Sequence, residues 1–158
     1  FHQRSLTRTG FSSQQFDRVV LNEASMYVDL DEAFAEIQRV LRPGGSLVLI
    51  GWCRNDAQTD DCHAATIIDA NYVCRTHCRS EYFLALSRHG LSPRTVVDLT
   101  KQALPYFELR EQIAAIGSED SADAAFRSGY RSGSLQYFAV VADRVRKGFL
   151  TDSQVQPS

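Results

Sequence analysis

Two short clusters in this chain of 158 residues carry the residue types that chemistry needs. Asn22 and Glu23 close a run of β-forming residues, 16–21. A carboxylate there can stabilise a developing cation or take up a proton. The commoner fate of such a Glu is a solvated loop or a helix cap. His77, Arg79 and Tyr82 form the second cluster. The Arg fork suits phosphate oxygens, and His and Tyr add neutral donors. The alternative is a helix start with an ordinary basic residue. Tyr72 could turn its ring face to a cation, or sit in the core beside Ile67 and Ile68. Tyr27, Tyr106 and Phe107 are further aromatics that could wall a pocket or fill a core. Cys62, Cys74, His77 and Cys78 invite a zinc reading, but their spacing fits no standard Cys-x-x-Cys pairing.

The elements that must position these side chains follow from periodicity. Residues 16–21 (FDRVVL) read as a short strand of the kind usually buried. In open α/β sheets, ligands bind at the carboxyl ends of the strands, which is where Asn22 and Glu23 fall. Asp29 is a plausible N-cap with Glu32 three residues on. Leu30, Ala33, Phe34, Ile37, Val40 and Leu41 then make one apolar helix face. Arg39 and Arg42 close its last turn, and Pro43-Gly44-Gly45 stops it. Residues 47–53 are nearly all apolar, as in a strand covered on both faces. Residues 54–61 read as a polar loop. Helices follow over 64–73, 79–89, 105–116 and 121–129, with Gly117-Ser118 between the last two. Strands follow over 94–99 and 136–142. The order is that of an α/β protein. Residues 1–150 fit one domain, and residues 151–158 a polar tail.

Composition narrows the classes. With 44% apolar and 23% charged residues, the chain can bury a core. A net charge of −2, with acids and bases interspersed, argues against a nucleic-acid partner held by bulk charge. The longest apolar run is far too short to span a bilayer. Four cysteines do not make a secreted disulfide scaffold, so a reducing cytoplasm is the expected location.

Several segments in order then resemble one family. Asn22-Glu23-Ala24-Ser25-Met26-Tyr27-Val28-Asp29 follows the first strand, and the first helix closes in RVLRPGG. His77-Cys78-Arg79-Ser80-Glu81-Tyr82, Thr95-Val96-Val97-Asp98-Leu99-Thr100, Leu104-Pro105-Tyr106-Phe107-Glu108-Leu109-Arg110 and Gly133-Ser134-Leu135-Gln136-Tyr137 follow at similar spacing. Together they resemble the geranyl diphosphate C-methyltransferase family, within the class I S-adenosylmethionine-dependent methyltransferases. The match runs over about residues 5–145, the carboxyl-terminal part of such an enzyme.

The resemblance implies a partial Rossmann-like fold: the last four strands of the sheet with flanking helices, the final pair antiparallel. It implies that a terpene alkene attacks the sulfonium methyl, and that Glu23 stabilises the resulting cation and then removes a proton. Tyr72 stands where the family places an aromatic facing the cation, ordinarily Phe, so its hydroxyl is a departure. His77, Arg79 and Tyr82 would hold the prenyl diphosphate, with Mg²⁺ on its oxygens. Tyr27, Tyr106 and Phe107 would wall the pocket. Ser5, Leu6, Leu21 and Asn22 would remain of the cofactor wall, the glycine-rich loop lying upstream. Arg8 would take the place of an acidic residue beside the adenosine. The first strand would present an open edge, leave one side of the core around Phe34, Ile37 and Leu41 uncovered, and favour association between copies. The alternatives are another small-molecule methyltransferase, of sterol or indole-terpenoid type, and a non-catalytic fragment serving as a binding or dimerisation module.

Overall fold

A computed structural model describes residues 2–57, 62–113 and 121–145. The 151–158 tail, the Gly117-Ser118 break, positions 58–61 of the polar loop and the 114–116 end of the helix expected over 105–116 lie outside the described residues.

Strand β1 (Phe16–Asn22) is followed by a 3₁₀ turn (Ser25–Tyr27), helix α1 (Leu30–Val40) and strand β2 (Leu41–Arg54). Helices α2 (His63–Tyr72) and α3 (Arg79–Arg88) come next, then strand β3 (Leu91–Asp98). Helices α4 (Thr100–Ile113) and α5 (Ala122–Ser132) precede the last strand, β4 (Leu135–Arg144). The sheet order is β1-β2-β4-β3. β1 runs parallel to β2, while β4 is antiparallel to both β2 and β3.

Local sequence explains most boundaries. The Asp29 carboxylate accepts the Glu32 N–H at 3.0 Å, satisfying a first-turn donor of α1. α1 stops at Val40, two residues before the expected last-turn Arg42, and Pro43-Gly44-Gly45 does not separate helix from strand. The chain pairs with β1 from Leu41, and the turn is an irregularity between the Phe16–Leu41 and Arg18–Ser46 pairs. Gly45 is required there, because a Cβ would lie 2.9 Å from the Asp17 carbonyl oxygen. α4 begins five residues before the expected Pro105. The Asp98 carboxylate accepts the Thr100 N–H at 2.8 Å and starts the helix early, leaving Pro105 inside it.

Alternation along β2 builds two layers. Leu47, Leu49 and Cys53 point to one face, where Phe34 and Ile37 of α1 and Tyr82 and Leu86 of α3 enclose them. Trp52 points to the other face and meets Ile68 of α2 and Phe126 and Tyr130 of α5. The open edge expected of β1 is present among the described strands, but two expectations of burial are not met. β1 is an edge among the described strands, and Leu21 is its one buried residue. Phe34 and Leu41 have no exposed surface and Ile37 is 1% exposed, so the core around them is closed, with Leu6 and α3 packed over it. An uncovered apolar side chain of β1 lies on the opposite sheet face. There Val20 is 65% exposed, because no described helix covers that end of β1. Among the described residues, no helix is long and apolar enough to cross a membrane.

Candidate active site

The carboxyl ends of β1 and β2 open into a cavity of about 420 Å³. Glu23 stands at its mouth, immediately after β1. Trp52 comes from β2, Tyr72 from the end of α2 and Tyr137 from β4. Helix α4 contributes Tyr106, Phe107 and Arg110, and α5 contributes Asp123, Phe126 and Tyr130. The aromatic packing is continuous. Trp52 meets Phe126 edge-on at 5.0 Å between ring centroids, and Phe107 stacks on Phe126 at 4.8 Å. Gly129 lets α5 come close enough to hold these rings. A Cβ at that position would lie 2.5 Å from Leu135 Cδ1 and 3.1 Å from the Ala64 Cβ.

Glu23 has a left-handed backbone, φ +49°, which costs a non-glycine residue about 1–2 kcal/mol. Its N–H donates to the Ile50 carbonyl at 2.8 Å and fixes that turn. The Tyr137 hydroxyl donates to Glu23 Oε1 at 2.6 Å. At the rim, Arg110 Nε lies 2.8 Å from Asp123 Oδ2, and Arg110 Nη1 donates to the Tyr106 hydroxyl at 2.9 Å. The Tyr130 hydroxyl is buried, with no hydrogen-bond partner among the described residues.

The electrostatics keep the phenols neutral. Burial pushes the ionisation of Tyr27, Tyr72, Tyr130 and Tyr137 upward. The Tyr137 bond to Glu23 adds to that shift, and the negative charge of Glu23 adds to the other three. No phenolate therefore competes with Glu23 as a base near neutral pH. The cavity can hold an apolar chain or a delocalised cation against aromatic faces, with the Glu23 carboxylate beside it and the Asp123 carboxylate paired with Arg110.

The structure brings Glu23, Tyr27, Tyr72, Tyr106 and Phe107 to this cavity. It takes His77, Arg79 and Tyr82 elsewhere. Helix α3 packs on the opposite face of the sheet, and none of the three residues lines the cavity. Tyr82 has no exposed surface, and its hydroxyl shares a 2.9 Å hydrogen bond with Ser25 Oγ. His77 is 3% exposed, its Nε2 is 3.3 Å from the Val28 carbonyl, and burial lowers its pKa, favouring the neutral ring. Arg79 is exposed and donates to Gln136 at 3.3 Å.

None of Ser5, Leu6, Leu21 and Asn22 lines the cavity either. Ser5 and Leu6 lie in the turn closed by the Arg8 N–H on the Ser5 carbonyl. Leu6 packs on the core, and the Leu21 side chain is 5% exposed, leaving its main chain at the β1 edge. Asn22 is exposed next to Glu23.

Sequence reasoning missed Trp52, Arg110, Asp123, Phe126, Tyr130 and Tyr137. Phe126 and Tyr130 carry a legible signal, two aromatics four apart on one helix face. Tyr137 carries none, since strand alternation alone does not say what lies across two strands. Among the described residues, no three His, Cys, Asp or Glu side chains converge to hold a metal ion, and all four cysteines are free.

Comparison with known proteins gives strong homology to one group of enzymes. A profile described as a methyltransferase domain matches residues 1–49. The geranyl diphosphate 2-C-methyltransferase of Saccharopolyspora erythraea is 42% identical over 146 residues, which make up 92% of this chain and 50% of the relative. The chain is a homologue of the geranyl diphosphate 2-C-methyltransferases. It spans about half the length of the curated relatives it matches. The solved geranyl diphosphate C-methyltransferase of Streptomyces coelicolor A3(2) is 36% identical and superimposes with a TM-score of 0.85. That match covers 91% of this chain and 53% of the solved one, a complex with Mg²⁺, geranyl diphosphate and S-adenosyl-L-homocysteine. A second geranyl diphosphate methyltransferase, solved with S-adenosylmethionine, is 39% identical with a TM-score of 0.85, over 90% of this chain and 56% of that one. The four-stranded sheet with its flanking helices is thus part of the class I methyltransferase fold.

Proposed function

We propose that this chain carries the prenyl-binding cavity of an S-adenosylmethionine-dependent C-methyltransferase acting on geranyl diphosphate. The observation that carries the reading is a carboxylate, Glu23, hydrogen-bonded to Tyr137 and set beside an aromatic cavity at the carboxyl end of the sheet. The homology and the ligands named for the solved relatives support the substrate class.

The π electrons of the substrate alkene form a bond to the sulfonium methyl carbon. The carbon–sulfur bond breaks and its electron pair stays on sulfur. The substrate is left as a tertiary cation. Rings such as Trp52, Tyr72 and Phe126 face it, each worth roughly 2 kcal/mol when the cation is desolvated. Glu23 lowers the energy of the cation by its charge, then takes a proton from the neighbouring carbon. That C–H electron pair becomes the new double bond.

Arg110 is the cation among the described lining residues, and we assign the diphosphate to its guanidinium, which here pairs with Asp123. A Mg²⁺ would neutralise diphosphate charge, held by phosphate oxygens and water, since no protein cage is formed among the described residues. Residues 1–150 belong to one domain in this reading. Four free cysteines accord with the cytoplasm.

The test is Glu23→Gln in the natural full-length protein, with product read by mass spectrometry. Turnover should fall by roughly 10²–10⁴, the usual worth of a general base, with little change in affinity for the methyl donor. Near-normal turnover would sink the assignment of Glu23.

A further inference from the structure

We propose that Tyr137 is a positioning residue for Glu23: its hydroxyl occupies Oε1 and leaves Oε2 as the oxygen that receives the proton. This rests on the reading of Glu23 as the base.

The two residues are 114 positions apart in sequence and meet across β2, at a separation of 2.6 Å. Tyr137 is itself held rigidly. It pairs with Trp52 in the β2–β4 ladder. Its N–H donates to Thr100 Oγ1 at 3.0 Å, and its carbonyl accepts the Leu99 N–H at 2.7 Å. These bonds tie the strand to the start of α4, the helix that supplies Tyr106, Phe107 and Arg110 to the cavity. Glu23, by contrast, is exposed and has three side-chain torsions. Its main chain is pinned by the left-handed turn and the Ile50 bond, but nothing in that turn orients the carboxylate. A short charge-assisted hydrogen bond from a rigid strand supplies the missing orientation. A carboxylate has two oxygens, so binding one to a fixed donor selects the other for the reaction. The neutral state of Tyr137 agrees, since a phenolate could not donate.

A role through Glu23 predicts an effect that depends on Glu23, so the test is a double-mutant cycle in the natural full-length protein. Tyr137→Phe keeps the ring and removes the hydroxyl. Alone it should lower kcat on geranyl diphosphate by roughly 10–100-fold, within the usual range for acid–base machinery, and leave KM within about threefold. In the Glu23→Gln background it should change kcat by less than about twofold. Equal losses in both backgrounds would mean that Tyr137 supports only the fold, and unchanged kcat in the single variant would overturn the proposal outright. Normal turnover by Glu23→Gln alone would remove the base, and the proposal with it.

A second readout does not need turnover. With tyrosine labelled at ¹³Cζ, the Tyr137 resonance at neutral pH should shift when Glu23 becomes Gln, because the hydroxyl loses an ionised acceptor. A resonance that does not move refutes the hydrogen bond. A protein that shows the shift but makes no methylated product would refute the substrate reading and keep the pairing.

Discussion

Glu36 offers a sharp test of how the segment before β1 is held. Its carboxylate lies against α1, 9% exposed, and accepts the Thr9 N–H at 2.8 Å and the Thr9 hydroxyl at 2.5 Å. Arg39 donates to it twice, both at 2.8 Å, and passes a further bond to the Phe11 carbonyl at 2.7 Å. The Arg39 and Thr9 donors lower its pKa from 4.5 to about 2, the Arg39 bond contributing most and burial opposing. At about 1.4 kcal/mol per pH unit, that difference corresponds to roughly 3 kcal/mol. The Arg39 side chain is 38% exposed, so solvent screens the pair and about 1–2 kcal/mol is the working figure.

The sign follows from linkage. The folded pKa is depressed, so this stability is fully present above pH 4.5 and is lost as pH falls from there towards 2. Urea unfolding of wild type and Glu36→Gln at pH 7 should therefore differ by about 1–2 kcal/mol, with the variant weaker. The gap should shrink steadily below pH 4.5 and nearly vanish at pH 2. A gap independent of pH between 7 and 2 would show that the carboxylate charge is not what holds residues 9–11 to α1.

Three further outcomes are expected. Gly129→Ala should destabilise the fold by roughly 1–3 kcal/mol, because the new Cβ collides with Leu135 and presses on Ala64; an unchanged melting temperature would contradict the close α5 packing. Arg110→Gln in the natural full-length protein should raise KM for geranyl diphosphate by about 10-fold or more, the loss of a charge-assisted pair at roughly 1.5–3 kcal/mol; rate measurements showing an unchanged KM would place the diphosphate elsewhere. Val20→Lys should reduce self-association of the 158-residue chain on a sizing column, since a lysine blunts the open β1 edge; an unaltered elution profile would mean that this edge is not the contact.

The sequence by itself determined what depends on neighbours along the chain. Asp29 caps α1 because the Glu32 amide is three residues away, and a strand delivers Glu23 because residues 16–21 are a short β-forming run that ends there. The chain's homology to the geranyl diphosphate 2-C-methyltransferases was also legible, since ordered motifs survive without any knowledge of packing. What only the tertiary structure decided is the layer each element joins. Periodicity shows which side chains share a helix face, but not which side of the sheet that face covers. The HCRSEY segment therefore looked like part of the site, and yet α3 buries Tyr82 against Phe138 on the far side. The same limit hid Tyr137. Its partner Glu23 is 114 residues away, and only the antiparallel pairing of β4 with β2 brings the phenol to the carboxylate. A contact of that range depends on sheet order, which burial of two opposed faces settles only when the whole chain has folded.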